Sequence, residues 1–116
     1  MKTPKFLLAE NPITNERHDG RSFIIHARKP FILAEIFAFE FETEEEILKV
    51  QRQITTGSKL DYPPETFLFS AIFIDENSKE LKNKTPQQVA DELAGIMRRM
   101  ADWYKSYLIW EDSQDH

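Results

Sequence analysis

The stretch Phe31-Ile32-Leu33-Ala34-Glu35-Ile36-Phe37-Ala38-Phe39-Glu40-Phe41-Glu42 decides the fold. Phe31, Leu33, Glu35, Phe37, Phe39 and Phe41 alternate with Ile32, Ala34, Ile36, Ala38, Glu40 and Glu42. A period of two, carried by aromatic and β-branched residues, is the pattern of a β-strand. Run straight, twelve residues would extend about 40 Å. That is long for a small domain, so a bend or bulge near Glu35 is expected. Apolar residues on both sides of the strand require cover on both faces of its sheet.

Downstream, Thr43-Glu44-Glu45-Glu46 has the form of a helix start. Thr43 can cap, Glu46 can complete a capping box, and three carboxylates meet the positive end of the helix dipole. The helix is expected to run to about Thr55, with Gly57 as its stop and 57–65 as a loop around Pro63-Pro64. Residues 66–74 form a second strong strand. Its alternation assigns Phe67, Phe69, Ala71 and Phe73 to one face. After a polar loop, Thr85-Pro86 opens a second helix with a cap and a proline in the first turn. From Val89 to Leu108 the apolar residues fall on one arc and the polar residues on the other. The regular helix is expected to end near Ile109, and Glu111–His116 to form a polar tail.

Upstream, Phe6-Leu7-Leu8-Ala9 is a short strand and Phe23-Ile24-Ile25-His26 a stronger one. Asn11-Pro12 breaks the first, and Asp19-Gly20 carries the signal of a hairpin turn. Lys29-Pro30 separates the second from the long strand. The expectation is one α+β domain over residues 1–110. Its sheet would hold about four to five strands, mostly antiparallel, with a mixed arrangement left open by the connection 43–65. Two helices would complete it, the C-terminal one long and amphipathic.

The chain has 116 residues, 41% of them hydrophobic and 30% charged, which fits one globular domain rather than disorder. With no cysteine, disulfides and thiolate metal sites are excluded, and a reducing, cytoplasmic setting is favoured. The N-terminal apolar run of four residues is short of the roughly 7–15 that a signal peptide needs. No apolar stretch approaches the roughly 20 residues that cross a bilayer, so no membrane association is expected. The net charge of −5 argues against a general nucleic-acid binder. The charge is unevenly spread: residues 1–34 hold six Lys and Arg against three Asp and Glu, and the remainder nine against seventeen.

No motif dictates a chemistry. Three separated glycines make no phosphate-binding loop, and no serine sits in a nucleophile elbow. Glu35, alone among apolar neighbours, and His26 are the candidates for catalytic work, because a carboxyl so placed can be a general acid or base. His18, Asp19 and His26 would approach one another across a hairpin, but their spacing matches no metal-ligand pattern, and neither metal nor cofactor is expected. Arg17, His18, Arg21, Arg28 and Lys29 are candidates for an anion patch.

The aromatic residues are the stronger signal. Nine Phe, three Tyr and two Trp exceed what one thin sheet and two helices can bury. Trp103, Tyr107 and Trp110 are therefore interface candidates, since aromatics are enriched at interface centres. The leading expectation is a self-associating protein-interaction module, whose partner is its own copy or another protein. One alternative is a small enzyme or ligand-binding domain with a pocket between sheet and C-terminal helix, holding Glu35, His26 and Arg28. Another is a nucleic-acid accessory protein using the basic N-terminal hairpin.

Overall fold

The computed structural model describes residues 5–10 and 22–114. The strands are β1 (Phe6–Glu10), β2 (Ser22–His26), β3 (Ile32–Phe39), β4 (Gly57–Tyr62) and β5 (Glu65–Ile74). The helices are α1 (Glu44–Gln51) and α2 (Pro86–Gln114). The strands form one sheet in the order β1-β2-β3-β5-β4, and every pairing is antiparallel. The protein is an α+β fold with five strands and two helices, the C-terminal one long.

Local signals explain most of these elements. Thr43 and Glu46 form a reciprocal capping box at α1. Thr85 and Gln88 do the same at α2: the Gln88 amide donates to Thr85 Oγ1 at 3.2 Å, and the Thr85 amide donates to Gln88 Oε1 at 3.0 Å. Two orphan amides are satisfied in each case.

The core lies between α2 and one face of the sheet. Phe6, Ile24, Ile32, Ala34, Ile36, Phe67 and Phe69 meet Leu93, Ile96, Met97, Met100 and Ala101 of the helix. Leu81, from the polar loop before α2, also reaches the core. Phe69 is fully buried at its centre, opposite Ile36 on one side and Ser58 on the other.

Four expectations change. Residues 57–62 are not loop but the edge strand β4, joined to β5 by a tight turn at Pro63-Pro64. Only Leu60 is buried in β4, so the strand lacks the apolar alternation that marks β3 and β5. Accordingly α1 ends at Gln51, and Gly57 opens β4 rather than stopping the helix. With β4 inserted, the return to β5 is a hairpin, so β5 lies antiparallel to β3 and no mixed sheet forms.

α2 continues past Ile109 to Gln114. Ser58 Oγ donates to the Met97 carbonyl at 2.7 Å, and Tyr62 Oη donates to Asp112 Oδ2 at 2.6 Å. The edge strand therefore holds the helix at its middle and near its end, and Glu111–Gln114 is helix rather than tail. At 29 residues the helix is about 43 Å long.

The fourth change concerns the bulge. Leu33 pairs with Phe73, but the next residue, Ala34, pairs with Ala71. Ile72 is the extra residue, so the irregularity falls on β5 and lies just before Glu35 on β3. A bulge resets the alternation of the strand that carries it. Phe67, Phe69 and Ala71 face α2, but Phe73 does not. It joins Leu33 on the opposite face, with Ile72 beside it, and Ile74 returns to the α2 side opposite Ile32.

Candidate functional site

The bulge completes a row on the face away from α2. Strand register aligns Leu7 with Ile25, Ile25 with Leu33, and Leu33 with Phe73, one residue from each of four adjacent strands. All are apolar. Phe73 is 54% exposed, Ile72 49%, Phe31 40% and Leu7 39%, while Ile25 and Leu33 are half-buried. The Phe31 ring meets the Phe73 ring edge-on at 6.2 Å. The next row reads Ala9, Phe23, Glu35, Ser70 and Gly57. Glu35 is thus the charged group bordering the apolar stripe.

Around this stripe, both ends of the sheet carry charged side chains. The β2–β3 turn carries exposed Arg28 and Lys29, with Lys5 beside it through an Ala27 amide bond to the Lys5 carbonyl at 2.8 Å. Asp75 and Glu76 follow β5 at the same end, so the cations centre on that turn. At the other end β3 leads into exposed Glu40, Glu42, Glu44, Glu45 and Glu46.

His26 belongs to the opposite face. It is 3% exposed, packed 5.4 Å from the Phe6 ring, and its Nδ1 lies 2.7 Å from the Pro30 carbonyl oxygen. The neutral ring donates Nδ1–H to that oxygen. Burial lowers its pKa below the usual histidine value; the Pro30 bond opposes this, and Lys5, Arg99 and Arg28 add repulsion in the same direction as burial. A histidine held neutral in the fold favours unfolding once the unfolded chain takes up its proton. Stability supplied by the neutral ring is complete above about pH 6.5 and is lost as pH falls toward the lowered folded value. Urea unfolding from pH 7.5 to 5 should show this loss. In His26→Leu the slope should flatten over that interval.

His26 and Glu35 therefore sit on opposite sides of the sheet, and Arg28 lies in the exposed turn. Among the described residues the three do not line one pocket. A cleft of about 160 Å³ does lie between the sheet and α2, but Leu8, Ser22, Ile36, Tyr104, Tyr107, Leu108 and Glu111 line it. Arg17, His18 and Arg21 lie outside the described residues, as does the Asp19-Gly20 turn. Among the described residues no three His, Cys, Asp or Glu side chains are grouped to hold a metal ion, and no helix is long and apolar enough to cross a membrane.

The aromatic ladder of α2 divides in two. Trp103 packs 5.8 Å from Phe6 and stacks 6.1 Å from Tyr107, so both serve the chain's own packing in part. Tyr104 meets Phe67 and Phe69 edge-on at 5.2 and 5.5 Å. Trp110 continues the ladder 6.2 Å from Tyr107 and is 58% exposed beside Ile109. Of the three interface candidates, Trp110 is the one with an open ring. Neither Leu7 nor Ile25 nor Phe73 was singled out from sequence, because only strand register brings them together. The available signal was the double-sided apolar character of the strands. Comparison of the chain with known families, characterised proteins and solved structures finds no match to any of them.

Proposed function

We propose that the chain is a protein-interaction module that associates with its own copy through the sheet face opposite α2. The observation that carries this reading is the row Leu7–Ile25–Leu33–Phe73 with Phe31 and Ile72 at its end. A half-exposed Phe leaves on the order of 100 Å² of apolar surface open. The stripe as a whole then presents on the order of 400 Å², the range of the largest apolar patch on a typical monomer, a patch that is often functional. A standard interface takes about 800 Å² from each partner. The stripe would form its apolar centre, and the rows of Glu35 and Phe37 together with the charged turn would form its rim. The stripe lies at one end of this face; toward the other end Leu68, opposite Phe37, is fully buried. An exposed apolar stripe on a sheet is covered simply by another sheet at a spacing of about 10 Å, and a second copy supplies one. Closed two-fold pairs are also the commonest oligomers.

Sedimentation and light scattering test this reading. The chain should sediment as a dimer at micromolar concentration. Phe73→Asp should sediment as a monomer, with affinity reduced by about 100-fold or more, because a carboxylate would be buried at the centre of the contact. Its circular dichroism and melting should stay close to those of the parent, since Phe73 is half-exposed and outside the core. A parent chain that is monomeric at all concentrations would remove the proposal.

A further inference from the structure

Three cations gather around His26, at the end of the sheet where β1 starts and β2 stops. Lys5 lies opposite Ala27 through the Ala27 amide bond to its carbonyl, and its Nζ stands 5.8 Å from the centre of the Phe6 ring. That ring packs 5.4 Å from His26 and 5.8 Å from Trp103 of α2. Arg99 precedes Trp103 by four residues, one turn earlier on the same face of the helix. Arg28 lies two residues beyond His26, where the chain leaves β2. We propose that Lys5, Arg28 and Arg99 form a binding site for a phosphate-type oxyanion beside the His26 ring.

The cations come from three separate elements, and the charge of each acts on the same imidazole. Among the described residues none of the three is ion-paired; the bridges there are Lys59–Asp61 and Lys84–Glu92. Cations gathered by the fold without a counter-ion repel one another, and a bound anion removes that repulsion. The carboxylates of this end act elsewhere. Asp75 and Glu76 follow β5, which lies across β3 from β2, and neither is among the charges acting on His26. Glu80 is drawn to Lys29, so Lys29 is not part of the site. Guanidinium groups bind tetrahedral oxyanions through paired hydrogen bonds, which suits Arg28 and Arg99 to the role.

His26 supplies an independent sign. It is 3% exposed, and Nδ1 is engaged by the Pro30 carbonyl. Among the described residues Nε2 has no hydrogen-bond partner, and it is not sealed from solvent. That nitrogen becomes a donor when the ring is protonated. The strand residues beside the ring, Phe6 of β1 and Ile32 of β3, are both apolar. Proton and anion therefore bind cooperatively. An oxyanion at the site offsets the repulsion around His26, so the ring takes up a proton more readily. By reciprocity, the protonated ring tightens the anion by the same factor. Lys5, Arg28 and Arg99 keep their charge at neutral and mildly acidic pH, so the pH dependence belongs to His26.

An NMR titration of the His26 ring, identified by its loss in His26→Leu, tests the site. Sulfate is the probe, because its charge is constant over the range, and sodium chloride at equal ionic strength is the control. Sulfate should raise the His26 midpoint by about 1 pH unit. It should bind about tenfold more tightly below that midpoint than above it. Lys5→Ala and Arg99→Ala lie outside the core, and circular dichroism verifies their folds. In chloride each should raise the His26 midpoint, because a repelling charge is gone, and the response to sulfate should weaken severalfold. A raised midpoint with the full sulfate response retained would overturn the site. So would equal His26 midpoints in sulfate and chloride for the parent chain. Inorganic phosphate and phosphoserine at pH 7.5 compare the free ion with a monoester. Displacement of sulfate by either supports the site, and the tighter of the two identifies the source of the anion.

Discussion

Gly57→Ala should destabilise the fold by about 3 kcal/mol or more and lower the Tm by about 10 °C or more. Gly57 opens β4 opposite Ser70, and its φ is negative, so the requirement for glycine is one of space. A Cβ here would overlap the Phe69 carbonyl oxygen and lie 2.5 Å from Ile54 Cγ2. The isoleucine side chain can give way. The carbonyl cannot, because it belongs to the backbone of β5, which pairs with β3 on one side and β4 on the other. The sheet must open at β4, and with it the Ser58 bond that holds α2. Adding Ile54→Ala should recover only part of the loss. Urea and thermal unfolding measure both variants, and an unchanged midpoint for Gly57→Ala would mean that β4 does not approach β5 as described.

Phe69→Ala should cost about 3–5 kcal/mol. The ring is fully buried and fills the space between Ile36, Ser58 and the edge of Tyr104. Small domains are stable by only about 5–15 kcal/mol in total, so this one truncation removes a large fraction. The matching change on the other face, Phe73→Ala, should cost little, because more than half of that ring is already in water. The two phenylalanines lie four residues apart on one strand and test the bulge directly. If both cost several kcal/mol, Phe73 is a core residue and the open face loses its centre. Gly57→Ala and Phe69→Ala act on adjacent groups, so their effects should not add.

The elements that were legible in the sequence carry their signals locally. The alternation of β3 and β5, the capping box at Thr43, the cap at Thr85 and the apolar arc of α2 each carry their signal within one segment of chain. What was not legible depends on distant partners. β4 has a single buried residue, Leu60, and is a strand because β5 supplies its hydrogen bonds. The last turn of α2 forms where Tyr62, fifty residues upstream, takes hold of Asp112. The direction of Phe73 depends on a register slip against Leu33 that no pattern within β5 reveals.

The candidate surface was legible in amount and not in place. The aromatic surplus and the apolar residues on both sides of β3 and β5 indicated more apolar surface than the chain can cover. In sequence that excess points to Trp103, Tyr107 and Trp110, because a helical arc is visible in one segment. The row on the open face draws Leu7, Ile25, Leu33 and Phe73 from four segments. Glu35 was noticed for its apolar neighbours; its position bordering the stripe, rather than inside a pocket, required the pairing of β2 with β3 and β5.

Ile72 marks a place where this sheet can gain or lose a residue. An extra residue taken up as a bulge leaves its neighbours on the faces that the pairing sets. Ala71 keeps its place opposite Ala34, and Phe73 its place opposite Leu33, whether or not Ile72 stands between them. Loss of that one codon would leave Phe73 on the open face and Ile74 on the helix side, and would remove only the half-exposed Ile72 side chain. The end of β5 could thus gain or lose one apolar side chain by a single-codon indel, with the ladder in register on both sides.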